Sequence, residues 1–149
     1  MLKRVDYLLI FIAIDATNLK LLSPIQIMKG MFLIGQELKI EDFYEFVPYL
    51  YGPCSFEVYS DLKKLVNDGL VMEIPAHQTW ASWNYYVATS KGKDKARKLI
   101  QQLDSSVVEK IKEIKKLILS MSFIELLKYV YKKYPEYARN SIINLEVFE

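Results

Sequence analysis

The run Ser55-Phe56-Glu57-Val58-Tyr59-Ser60-Asp61-Leu62-Lys63-Lys64-Leu65-Val66-Asn67-Asp68-Gly69-Leu70-Val71, followed by Trp83-Asn84-Tyr85-Tyr86-Val87-Ala88-Thr89-Ser90-Lys91-Gly92, decides the fold. Phe56, Tyr59, Leu62, Leu65 and Val66 are read as the inward face of a helix ending near Asn67, with Glu57, Asp61, Lys63, Lys64 and Asp68 outward. Asp68-Gly69 closes it, because glycine takes the left-handed conformation of a helix exit without Cβ strain. Leu70 to Ile74 and Trp83 to Ala88, rich in β-branched and aromatic residues, predict two strands joined by Pro75 to Ser82. Thr89 or Ser90 then caps a helix ending near Leu103. Helix, Asp-Gly exit, hairpin and capped helix in that order predict the back half of a winged helix-turn-helix. The fold class is therefore mainly α with a small β-hairpin: a winged helix-turn-helix-like domain with appended C-terminal helices.

Upstream, Val5, Leu8, Leu9, Ile12, Ala16 and Leu19 recur at helical spacing while Tyr7, Ile10, Phe11 and Ile14 fill the opposite side, so the first helix is expected to be buried nearly all round. Ser23-Pro24-Ile25-Gln26 places a capping serine, a proline at the first helical position and a glutamine at the third, which starts a helix reaching about Leu38. Its buried stripe is expected at Ile27 or Met28, Met31, Ile34 and Leu38, with Gly30 and Gly35 admitting a close neighbour. From Lys39 to Cys54 the helical pattern dissolves, since Pro48 and Gly52-Pro53 preclude a regular helix. This segment is too aromatic for a solvated loop. Phe43, Phe46, Tyr49 and Tyr51 are expected to anchor it, with Tyr49 and Tyr51 between the second helix and the helix from Ser55. Pro48, Tyr49, Tyr51, Gly52, Pro53 and Ser55 together form the structural corner; a ligand pocket or partner surface is the alternative use of these rings.

Downstream, Ser106-Val107-Val108-Glu109 and Ser122-Phe123-Ile124-Glu125 read as capping boxes opening two helices, Ser106 to Met121 and Ser122 to Tyr134. The expected organisation is a core over residues 1–103, with its wing at about 70–89, and a helical extension over 104–149 packed on the same domain. Ile111, Ile114, Ile118 and Leu127 line one apolar stripe, which serves either as the seam of a homodimer or as core within one chain.

Composition narrows the function. With 149 residues, 52% of them hydrophobic, the chain can bury one sizeable core. A single cysteine, Cys54, excludes an internal disulfide framework and points to a reducing, cytoplasmic setting; the lone His77 excludes histidine-pair metal motifs. Tyr7 to Ile14 is too short to span a bilayer, and no cleavage motif follows it, so neither membrane nor export is expected. Net charge is +2, unevenly spread: residues 91–133 hold 12 basic and 5 acidic side chains, against 7 and 10 in residues 1–90.

The order Phe46-Val47-Pro48-Tyr49-Leu50-Tyr51-Gly52-Pro53-Cys54-Ser55, a helix, Asp68-Gly69-Leu70-Val71, a wing and Ser90-Lys91-Gly92 resembles the YwgA-like prokaryotic family. More distantly it is similar to Panacea-type antitoxin domains. The resemblance implies a winged-helix-like fold and, for the YwgA-like proteins, no established biochemical activity.

Duplex DNA is the partner such a fold first suggests, and the expected function is a non-enzymatic regulator of transcription or defence. The charges are mixed on that point. The helix from Ser55 offers Lys63 and Lys64 against Glu57, Asp61 and Asp68, with no arginine for a base edge. A phosphate-binding field is better placed on the C-terminal helices, at Lys91, Lys93, Lys95, Arg97 and Lys98, with Lys112, Lys115 and Lys116 sharing a further face and Lys128 and Lys132 one turn apart; it would be salt-sensitive and indifferent to sequence. The alternative is a protein-binding adaptor or antitoxin-like module using His77, Trp80 and Trp83 of the wing, tryptophan being enriched at interfaces. No phosphate loop, metalloprotease pair or nucleophile elbow is present, and Cys54 has no basic partner nearby in sequence, so no catalytic residue, metal or cofactor is expected.

Overall fold

Leu8 to Ile12 are five consecutive residues with almost no exposed surface, so neighbours must surround the first helix on every side. In the computed structural model, which describes residues 1–18, 21–76 and 83–143, they do. Helix α1 (Arg4–Ala13) is packed by α2 (Pro24–Leu38), α3 (Phe56–Asn67), α4 (Ser90–Ile100), α5 (Ser105–Ser120) and strand β4 (Asn84–Ala88). The expected central rod is present but shorter than its apolar spacing. It stops at Ala13, and Ile14 is already extended, so Ala16 adds no further turn; Leu19 lies outside the described residues.

The cause of that stop is a long-range cap. Lys115 of α5, only 2% exposed, donates from Nζ to the carbonyls of Ile12 at 2.8 Å and Ile14 at 2.6 Å. A helix C-terminus leaves carbonyls without intrahelical donors and carries negative partial charge, so an ammonium there satisfies both needs.

Helix α2 begins as its sequence predicts: Ser23 Oγ accepts from Gln26 N at 3.3 Å, and Gln26 Oε1 accepts from Ser23 N at 2.9 Å. Its burial is wider than a stripe, covering every residue from Ile27 to Ile34, because α5 lies along it and Phe11 of α1 sits against Gly30. A Cβ on Gly30 would fall 2.2 Å from the Phe11 ring, and one on Gly35 would fall 2.9 Å from Phe43.

Two small antiparallel hairpins complete a mainly helical fold, where one was expected. The additional hairpin is the structural corner: β1 (Val47–Tyr49) pairs with β2 (Gly52–Cys54), Tyr49 opposite Gly52, around the two-residue turn Leu50-Tyr51. Gly52 has φ of +93°, and a side chain there would also meet the Tyr131 ring at 2.7 Å. Tyr49 and Tyr51 therefore ride at the hairpin tip, 43% and 40% exposed, rather than between helices. The anchoring falls to Phe43, which meets Tyr7 edge-on, and Phe46, which meets Phe32 edge-on. Pro48, Gly52, Pro53 and Ser55 make the expected turn into α3; the last three are buried.

Helix α3 corrects two inward assignments. It starts at Phe56, so the buried stripe is Val58, Leu62 and Leu65, and Phe56 and Tyr59 face outward at 58% and 37% exposure. Strand β3 (Val71–Pro75) pairs with β4, Val71 opposite Ala88, and Leu22 adds a one-residue bridge to Tyr86 on the other edge. Thr89 caps α4 through its contact with Gly92 N at 3.1 Å.

The box proposed at Ser106 is absent, since α5 is capped at Asp104 and Ser106 is already its second residue. The box at Ser122 is formed with Glu125 and opens α6 (Phe123–Lys133). Ile111, Ile114, Ile118 and Leu127 are all buried in the one chain, so their stripe is core; pairing two chains through it would require undocking α5 and α6. After α6, a 3₁₀ turn (Pro135–Ala138) brings the chain back to the first hairpin, where Asn140 Nδ2 donates to Pro48 O and Ile142 N to Leu50 O. Among the described residues, no helix is long and apolar enough to cross a membrane.

Lys115→Met keeps the apolar stem and removes the ammonium, leaving two buried carbonyls without that donor. An unsatisfied buried group costs about 1–3 kcal/mol, so the variant should lose about 2–4 kcal/mol in urea unfolding. A loss under 0.5 kcal/mol would show that α1 does not depend on this cap.

Candidate binding site

Helix α3 divides the surface into two different chemistries. Around its first turn, aromatic rings stand together. Tyr49 meets Phe56 edge-on at 5.3 Å, and Tyr51 meets Phe123, the first residue of α6, at 5.7 Å. Val47 and Leu50 of the same hairpin are also exposed. The rings are outside because the Leu50-Tyr51 turn projects beyond the core and because α3 buries Val58 instead of Phe56. Sequence reading placed Tyr49 and Tyr51 inside on their aromatic character and Phe56 inside on helical spacing; the hairpin register turns the tyrosines out, and α3 turns Phe56 out by burying Val58.

Behind this belt lies a cavity of about 580 Å3. Tyr51, Tyr59, Trp83, Tyr85 and Phe123 supply its aromatic walls, and the start of α2 closes one side. Burial pushes the Tyr59 phenol up to about 12, so its hydroxyl keeps its proton at neutral pH. Trp83 meets Tyr85 at 6.4 Å and is 36% exposed. Of the three wing residues proposed for a partner, Trp83 thus belongs to this cavity, while His77 and Trp80 lie outside the described residues.

Around the last turn of α3 the chemistry is cationic. Lys63 and Lys64 are exposed, and among the described residues neither meets a carboxylate. Lys91 Nζ donates to Asp68 O at 3.1 Å, and Thr89 Oγ1 to Gly69 O at 2.7 Å, which joins the start of α4 to the end of α3. Lys95 and Lys98 follow Lys91 at successive turns of one helical face, both exposed. Lys93 and Arg97 turn away from them. They line a second, smaller cavity of about 240 Å3 with Lys112 and Asp15, and Arg97 pairs with Asp94 on its own helix. The structure therefore splits the predicted basic set in two.

Of the three acidic residues that argued against α3, Glu57 and Asp61 are engaged through their carboxylates, and among the described residues Asp68 is not. Arg4 pairs with Glu57 and lies 3.8 Å from Asp61, and Tyr44 Oη donates to Asp61 at 2.6 Å. Nothing in the sequence separation of 53 residues between Arg4 and Glu57 signals that pairing.

Among the described residues two lysines are buried, each interrupting an apolar helical face: Lys115, which sequence reading counted in the phosphate-binding field and which instead caps α1, and Lys29, which it passed over. Besides Lys115, Lys29 of α2 is 2% exposed and donates to Pro53 O at 3.0 Å. Lys29 is also the basic neighbour that Cys54 lacked in sequence. It does not activate the thiol: burial raises the Cys54 pKa, and the Lys29 charge offsets that only in part. Among the described residues no group of His, Cys, Asp and Glu assembles as a metal site. No protein-family model matches the chain, and no curated protein matches it.

Burial lowers the Lys29 ammonium from the ordinary 10.5 to about 8. Between those values the unfolded chain binds more protons than the folded one, so stability should rise with pH across this window and be lowest below it. The expected gain is about 1 kcal/mol from pH 7 to pH 9 by urea unfolding, and Lys29→Met should flatten the rise. Above that range Cys54 and Tyr59, whose pKa values are raised, act with the opposite sign. A rise of the same size in Lys29→Met would assign the effect to another group.

Proposed function

We propose that this chain is a non-enzymatic, winged-helix-like module that binds a protein partner through the aromatic belt of Tyr49, Leu50, Tyr51, Phe56 and Phe123. The order α1, Leu22 bridge, α2, α3, β3, β4 supports the winged-helix reading, with Leu22 as the short third strand beside β4. The residues from Phe46 to Ser55 support the likeness to YwgA-like proteins, and the antitoxin-like alternative is of the same adaptor class. The observation that carries the function is Phe56: a large ring more than half exposed, packed edge-on against Tyr49 and flanked by other apolar side chains. Grouped exposed apolar side chains mark interaction surfaces, and aromatic residues dominate their energetics.

A second reading, nucleic-acid binding, is favoured by one specific observation. Arg4 and Tyr44 engage Glu57 and Asp61, while Lys63, Lys64, Lys91, Lys95 and Lys98 carry no carboxylate partner among the described residues. That array suits phosphates rather than base edges, so it supports generic binding to duplex DNA.

The two readings separate in one set of variants. Phe56→Ala with Tyr49→Ala should leave the unfolding midpoint nearly unchanged and weaken partner capture from the native host by more than about ten-fold, with little salt dependence. Lys95→Glu with Lys98→Glu should leave that capture intact. If instead duplex DNA is retained at low salt, released steeply as salt rises, and lost only in the lysine variant, the nucleic-acid reading replaces the adaptor.

A further inference from the structure

We infer that the cavity between the start of α2, Tyr59 of α3, β4 and the start of α6 is a binding site for a neutral, planar aromatic small molecule carrying hydrogen-bonding substituents. Its size is the first reason: about 580 Å3 lies within the range of pockets that enclose a small organic ligand. Its charge is the second. Charged residues make up 26% of the chain, yet among the described residues not one Asp, Glu, Lys or Arg lines this cavity. A charged ligand would surrender its hydration and meet no counter-charge. An anion gains little from the two helix starts that open here, because both are already capped, α6 with the carboxylate of Glu125.

The polar groups that remain define the substituents. Ser23, Gln26 and Ser122 are engaged in the capping boxes of α2 and α6. The hydroxyls of Tyr51, Tyr59 and Tyr85 make no hydrogen bond to another described residue. Three phenols on the wall of one apolar cavity offer donors and acceptors to oxygen or nitrogen atoms on a flat ring. Ring faces and edges at Trp83, Tyr85 and Phe123 supply stacking surface. The site is distinct from the outer belt: Phe56 does not line it, although Tyr51 and Phe123 form a rim common to both.

The test uses the intact chain and the neutral dye N-phenylnaphthylamine. In Trp80→Phe, Trp83 is the sole tryptophan of the two in the sequence and reports directly from the wall. Dye fluorescence should rise saturably at one equivalent per chain while Trp83 emission is quenched. Ile25→Glu places a carboxylate on the wall in the first turn of α2, where the helix dipole tolerates it, so the fold should persist while dye affinity falls by at least about ten-fold. Non-saturable binding, preference for the anionic anilinonaphthalene sulfonate, or an Ile25→Glu variant that binds as well as the parent would each overturn the proposal. So would binding that appears only in Trp80→Ala, since the chain's own indole would then be the occupant. Phe56→Ala should bind the dye normally, so failure of the protein-partner reading leaves this result standing.

Discussion

The bond from the Lys115 ammonium to the carbonyls of Ile12 and Ile14 is the constraint on which the remaining architecture hangs. It fixes where α1 ends and ties a residue of α5 to a helix more than a hundred positions earlier in the chain. Taking an ammonium out of water is costly, and carbonyls at a helix terminus, with their partial negative charge, help to recover that cost. Once α5 is pinned along α2, its Ile111, Ile114 and Ile118 are buried in the core, and α6 follows with Leu127 into the same cluster. The C-terminal helices are thereby structural members of the domain, and the stripe that resembled an oligomer seam is consumed inside it.

A second consequence concerns the first hairpin. The chain beyond α6 returns to bond Pro48 and Leu50, and Tyr131 Oη donates to Ser141 Oγ at 2.7 Å beside Gly52. The hairpin tip is held from behind, so its exposed tyrosines stand on a fixed base. Rigid presentation lowers the entropy lost when such rings are covered, which is what distinguishes a contact surface from a loop that merely contains aromatic residues.

Much of the fold was legible because its punctuation is local. Ser23-Pro24-Ile25-Gln26, Asp68-Gly69, Thr89 and Ser122-Phe123-Ile124-Glu125 each specify a terminus through bonds spanning three or four residues. Local rules erred where two readings differ by one helical position. Asp104 rather than Ser106 holds the N-cap position of α5, without a side-chain bond, and α3 sets Val58 inward and Phe56 outward. Long-range contacts left no local trace: the cap from Lys115, the pair between Arg4 and Glu57, and the return of Asn140 to Pro48. The site suffered most from this. Its cavity gathers residues from α2, the first hairpin, α3, β4 and α6, of which Trp83 had been singled out as a binding residue and Tyr51 only as an alternative to its structural role.

Helix α3 shows why simple charge counting misjudges such a chain. Its 12 residues bury Val58, Leu62 and Leu65, give Glu57 and Asp61 to Arg4 and Tyr44, and leave Phe56 and Tyr59 at one end and Lys63 and Lys64 at the other. Counted along the sequence, its charges oppose a polyanion. Counted after the internal pairs form, Lys63 and Lys64 stand against Asp68 alone, so the uncommitted charge is a small cationic excess that lies a full turn or more from the aromatic end. Aromatic and cationic contacts are thus separated along one rigid rod about 18 Å long, at 1.5 Å of rise per residue. A partner covering the first turn of α3 need not displace anything bound at the lysines, while the pair between Arg4 and Glu57 ties the aromatic end of α3 to α1.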